Sequence, residues 1–193
     1  MRRSLILLLV LALICPFSAS AAEPEFIALT FEGFPAGGAG RRLLEGLEER
    51  DARATFFLWA APWEQGRQIL NGGHEIGLRA PDSLNQLSRR KVAAKLLGAQ
   101  ALLPACRIRF LLTDDNCSDG VRQVAKVRRL SIPDVIHQKS AIPGQVKSGD
   151  TLLLTAATAA DVTRALTLVD LLQRRGFRLV TASELARLKK TGF

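Results

Sequence analysis

Histidine is almost missing from this chain, with only His74 and His137 in 193 residues, and cysteine is scarce, with three. Two histidines so far apart give no His/Cys cluster at metal-binding spacing. Ser83, Ser118 and Ser183 have no histidine close by in sequence, so no nucleophile–base pair is readable. There is no phosphate loop and no dinucleotide fingerprint; Gly37-Gly38-Ala39-Gly40 reads as a turn before the first helix. Beyond the N-terminus no apolar run is long enough to span a bilayer. Internal repeats, linkers and low-complexity tracts are also missing, which leaves one domain.

At the N-terminus, Met1-Arg2-Arg3 precedes an apolar run from Leu5 to Cys15 and small residues from Ser18 to Ala22. A basic start, a short apolar stretch and Ala19-Ser20-Ala21 predict a signal peptide over 1–22 and a mature domain over 23–193. The expected location is secreted or extracytoplasmic, with membrane contact only if the N-terminal segment is not cleaved. Cys106 and Cys117 suit an oxidising compartment. They either form a disulfide, contributing roughly 3 kcal/mol, or remain two buried thiols. The formal charge is +9, to which Arg2 and Arg3 contribute two, leaving +7 on the mature chain. Its basic pairs are dispersed. They form either a solvated surface or an attraction to anionic cell-wall polymers or membrane surfaces. Nucleic acid is not an expected partner.

Strand and helix patterns alternate along the chain. Strands are expected at Phe26–Phe31, Arg53–Trp59, His74–Gly77, Arg107–Leu112, Ser131–Ile136, Thr151–Thr155 and Phe177–Val180. Helices are expected at Arg42–Arg50, Glu64–Leu70, Ser88–Leu103, Gly120–Arg129 and Ala160–Arg175. Thr181-Ala182-Ser183-Glu184 has the form of a capping box for a last helix. Gln138–Gly149 reads as loop. Such alternation implies a mostly parallel sheet with helices outside it, either open or closed into a barrel.

Four segments carry more information than the pattern. They are Ile27-Ala-Leu-Thr-Phe-Glu-Gly-Phe-Pro35, Ala54-Thr-Phe-Phe-Leu-Trp-Ala60, Gly73-His-Glu-Ile-Gly77 and the closing run from Arg174 to Leu185. In order and spacing they resemble the polysaccharide deacetylase family, defined by the NodB homology domain, from Phe26 to about Leu188. The resemblance implies an α/β fold, a distorted (β/α) barrel of the polysaccharide deacetylase type. It also implies a site at the strand C-terminal ends, where a divalent cation such as zinc would activate water to remove an acetyl group from an N-acetylated sugar.

Set against the family motif Thr-Phe-Asp-Asp-Gly-Pro, Glu32 falls at the position of the catalytic base. Gly33 falls at the metal-binding Asp, and Phe34 at the turn glycine. Arg79 and Ser83 fall at the two metal-binding histidines. The base-orienting arginine is replaced within Phe110–Asp114, and the proton-donating histidine within Leu154-Thr155-Ala156. The expectation is therefore no metal cofactor, and a catalytically degenerate protein that binds cell-wall or other polysaccharide, or a protein partner. The alternative is an active deacetylase or hydrolase, acting on C–N bonds of N-acetylated sugars through Glu32 and a rebuilt site.

Arg79 is a candidate to hold a carboxylate or phosphate where a cation would otherwise sit. Asp82, Asp114, Asp115 and Asp119 either gather near the barrel mouth or cap polar turns; Asp114 is kept as a ligand-binding candidate. Trp63, in the loop after the second strand, is a candidate to stack on a sugar ring, whereas Trp59 reads as core.

Overall fold

The computed structural model describes residues 24–59, 62–103, 107–137 and 145–192. The expected signal peptide lies outside the described residues. At the centre of a seven-stranded sheet runs β1 (Glu25–Glu32). Beside it lie β2 (Thr55–Leu58), β3 (Glu75–Arg79) and β4 (Leu111–Leu112) in one direction. In the other lie β6 (Thr151–Thr155) and β5 (Ile136–His137), giving the order β4-β3-β2-β1-β6-β5. All strand pairings are parallel. The last strand, β7 (Phe177–Val180), pairs the first half of β1 on the edge whose second half belongs to β2.

The helices are α1 (Gly37–Glu48), α2 (Trp63–Asn71), α3 (Arg89–Ala101), α4 (Asp119–Val127), α5 (Ala159–Arg174) and α6 (Ala182–Thr191). No helix among the described residues is long and apolar enough to cross a membrane.

The sheet is curled, and one segment shows how. Ser131 bridges to Phe110 just ahead of β4, and Ile136 then pairs with β6. A single stretch of chain thus touches both outer edges of the sheet, closing it part-way into the expected distorted barrel. Of the two arrangements that alternation allows, the structure adopts this one.

Strand alternation sorts side chains into two populations. Ile27, Leu29 and Phe31 of β1, Phe56 of β2, Ile76 and Leu78 of β3 and Leu152 and Leu154 of β6 join the large core shared with the helices. Phe57, Phe110, Leu112 and Leu153 form a smaller cluster with Ala182. Phe31 stacks on Phe56 with ring centroids 5.1 Å apart, locking neighbouring strands in register.

The Gly-His-Glu-Ile-Gly motif is explained residue by residue. Gly73 has φ +75°, the left-handed conformation that ends α2 without a Cβ penalty. His74 is buried, and its Nδ1 accepts the Ala54 N–H at 3.2 Å. Glu75 accepts from the Thr55 hydroxyl at 2.8 Å and from the Ser183 N–H at 3.0 Å, and also from the Ser183 hydroxyl. It thereby ties β2, β3 and the start of α6 together. Ile76 is core. At Gly77 a Cβ would lie 2.6 Å from the Phe57 ring, so the position must stay bare.

Several expectations need correction. Gly37–Gly40 is the first turn of α1 rather than a preceding turn. At Gly40 a Cβ would fall 2.3 Å from the Pro35 carbonyl, so glycine lets the helix pack directly on the chain that enters it. The expected strand Arg107–Leu112 pairs only from Phe110 onward, because the facing chain meets it only around Ser131. For the same reason Ser131–Ile136 is split between two edges. A 3₁₀ turn at Asp82–Gln86 was not anticipated. Thr181 does cap the Glu184 N–H, but the full reciprocal box forms at Thr158 and Asp161, ahead of α5. Cys117 is a buried free thiol, and Cys106 lies outside the described residues.

Two measurements follow from this packing. Gly77→Ala should lower unfolding stability by about 1–3 kcal/mol through overpacking against Phe57, read by urea titration. Burial first, and the Arg53 charge second, push His74 from 6.5 down to about 4. A depressed histidine favours the folded state above the unfolded value, and that contribution disappears as pH falls from 6.5 toward 4. The loss should approach about 3 kcal/mol. His74→Asn, which keeps an acceptor for the Ala54 N–H, should flatten that slope.

Candidate functional site

Because all strands are parallel, their C-terminal ends face one way and form a mouth. Strand alternation decides which side chains reach it. Glu32 is in register with Phe57, and Phe57 with Gly77, so Glu32 lies level with Gly77. Arg79 stands two residues beyond Gly77, on the same face of β3 and one pleat nearer the mouth. Asp114 follows two residues after the end of β4.

These three side chains meet. The Arg79 Nε donates to Glu32 Oε1 at 2.7 Å, and Nη2 donates to Asp114 Oδ1 at 2.6 Å. Nη1 donates to the Ala80 carbonyl at 2.5 Å. The guanidinium therefore bridges one carboxylate at the end of β1 and one in the turn after β4, and is also pinned to the adjacent backbone carbonyl. Its side chain is 22% exposed, against 40% for each carboxylate. Burial pulls the Arg79 pKa down, but Glu32 and then Asp114 outweigh that effect and raise it above its ordinary value. Arg79 is a permanent cation. With two anions around it, the cluster carries a net charge of about −1. Among the described residues, Asp114 Oδ2 is buried and accepts no hydrogen bond.

The residues present do not fit the divalent cation implied by the resemblance. No group of three or more His, Cys, Asp or Glu side chains is placed to hold a metal ion among the described residues. Gly33 offers no donor. Its φ of +81° and its N–H bonded to Phe57 O at 2.9 Å fix a turn suited to glycine. That left-handed glycine sits one place earlier than in the family motif. Phe34, at the family's glycine position, packs edge-on against Phe56 at 5.5 Å. Ser83 is exposed in the 3₁₀ turn. Asp82, Asp115 and Asp119 are exposed as well.

Trp63, at the first position of α2, is 53% exposed. Since α2 follows the C-terminal end of β2, Trp63 belongs to the mouth end of the barrel. Trp59 is half-buried against the core. The bridge itself went unread in the sequence. Its signal was present in part, since alternation puts Glu32 and Arg79 on inward positions of nearby strands. Asp114 lies in a turn, where no periodicity reports direction.

No family model and no curated protein matches the chain. Solved structures do. Peptidoglycan deacetylase PdaC from Bacillus subtilis is 21% identical, with a TM-score of 0.74 over 88% of this chain and 93% of that one. BA3943, a CE4 family pseudoenzyme from Bacillus anthracis, is 18% identical, with a TM-score of 0.68 over 84% and 66%. A BA3943 mutant with restored enzymatic activity superposes with a TM-score of 0.70 at 18% identity, over 84% and 68%. A family 4 carbohydrate esterase from Streptomyces lividans, solved with acetate, is 17% identical, with a TM-score of 0.65 over 80% and 91%. The chain has the distorted parallel barrel of the CE4 polysaccharide deacetylases.

Proposed function

We propose that this is an extracytoplasmic polysaccharide-deacetylase-like protein that has given up metal-dependent deacetylation and binds cell-envelope glycan at the barrel mouth. The observation that carries the reading is the Arg79 guanidinium bridging Glu32 and Asp114. A metal ion entering there would have to break two charge-assisted hydrogen bonds. It would then find glycine and an exposed serine where two of its ligands should be.

The arrangement is suited to holding a sugar. Arg79 fixes two part-exposed carboxylates, whose remaining accessible lone pairs suit a hydroxyl, amide or ammonium donor of the ligand. Arg79 serves the ligand by positioning those acceptors. The exposed Trp63 supplies an apolar face for a pyranose ring. The N-terminal pattern over residues 1–22 supports export. A CE4 family pseudoenzyme of this fold from Bacillus anthracis gives the reading a precedent.

One observation favours the alternative of an active hydrolase with a rebuilt site. Arg79 orients Glu32 as the motif arginine would orient the base in the family resembled, though from another strand. A positioned carboxylate remains competent to take a proton from water.

The test is metal titration of the protein with zinc, cobalt and calcium, beside acetate release from chitin oligomers and peptidoglycan. No stoichiometric metal and no acetate are expected. Acetate release that disappears in Glu32→Gln would establish the alternative instead. Trp63→Ala should weaken chitin-oligomer binding roughly tenfold, equivalent to about 1.4 kcal/mol, read by calorimetry. Combining Gly33→Asp, Arg79→His and Ser83→His should create zinc binding, since Asp tolerates the left-handed region better than most residues. Failure of that triple variant to gain zinc would show that the ligand positions are misassigned.

A further inference from the structure

At the end of the barrel opposite the mouth lies a second concentration of charge. A cavity of about 800 Å³ opens there between the chain leading into β4, the end of α4 and one side of α6. Arg107 and Arg109 are alternate residues of one extended stretch, Arg128 and Arg129 close α4, and Arg187 and Lys190 lie one turn apart on α6. Arg53, just ahead of β2, completes the wall, and among the described residues Glu184 is the single carboxylate lining it. Seven cations face one anion.

That charge is mostly uncompensated. In this wall the one ion pair among the described residues is Arg187 with Glu184, at 3.9 Å. Arg128 donates to Gln100 Oε1 at 2.6 Å, and its Nε is buried without a partner. Arg53, Arg107, Arg109 and Arg129 make no ion pair among the described residues. Like charges converge there from four chain segments, and a bound anion would relieve their mutual repulsion. Arg129 adds an independent sign. It holds φ +57°, a left-handed conformation that glycine would adopt freely, and yet the position carries arginine at the cavity rim.

We infer that this cavity binds an oligomeric phosphate, a soluble chain with closely spaced phosphate groups. Planar guanidinium forks match phosphate oxygens bidentately, and several of them together call for a ligand of high charge density. The hydroxyls of Ser131 and Thr181 also line the cavity and can donate to the same oxygens. A concave site of this volume fits a compact ligand rather than a flat lipid surface. Nothing at this end of the barrel depends on the chemistry at the mouth.

The probe is sodium tripolyphosphate, measured by calorimetry on the full chain in 0.15 M salt, with orthophosphate and poly-glutamate as comparisons. Binding should be stoichiometric, tighter than to either comparison, and weaker as salt rises. Arg107→Gln with Arg109→Gln should weaken it roughly tenfold or more. Arg41→Gln with Arg42→Gln, an equal loss of charge at exposed positions on α1, should leave it unchanged. Arg129→Gly carries no folding risk and should raise Tm while still weakening binding several-fold. The inference is overturned if tripolyphosphate fails to bind or if poly-glutamate binds as tightly. An equal loss of binding in the α1 control, or unchanged binding in Arg129→Gly, would overturn it too.

Discussion

β1 is hemmed in on both edges. β6 runs along one edge, while β7 and β2 divide the other, and the residues from Ile27 to Phe31 are fully buried. A strand in that position tolerates neither a charge nor a bulge along its length. Its first polar residue of consequence, Glu32, must therefore emerge at the C-terminal end. The curl of the sheet brings the ends of β3 and β4 toward the same point. The carboxylate placed there meets a counter-charge from β3, two strands away.

In this chain the counter-charge is covalently part of the protein. Arg79 stands where the resembled family would place a metal-binding histidine, and it pairs with both Glu32 and Asp114. Two part-exposed ion pairs of this kind contribute modestly to stability, since water screens them. Their larger effect is geometric, because they hold two acceptors at fixed positions around the mouth. Sharing the fold does not by itself transfer the reaction.

Much of this was legible before the structure. Strands with a compact apolar pattern, such as Thr151–Thr155 and Phe177–Val180, are legible with their observed bounds, because Leu152–Leu154 are buried in succession and Phe177, Leu179 and Val180 are buried around an exposed Arg178. The weakest reading concerned residues 107–136, where strand pairing is set by which edge the chain happens to touch. No local periodicity encodes that choice, so a continuous strand was expected where two short contacts form. Motif position singles out Glu32 and Arg79, and the structure brings these two side chains together. Their bridge to Asp114 was not legible, because it depends on side-chain direction out of a turn. The basic cavity was equally hidden, as its residues are dispersed along the chain and meet only through the parallel topology.

The most direct test of the central claim is a crystal structure of the protein soaked in zinc, with anomalous scattering recorded at the zinc edge. The account expects no zinc peak at the mouth, with the Arg79 guanidinium hydrogen-bonded to both Glu32 and Asp114. A zinc ion held by those two carboxylates, with Arg79 swung away, would contradict it and return the site to metal chemistry.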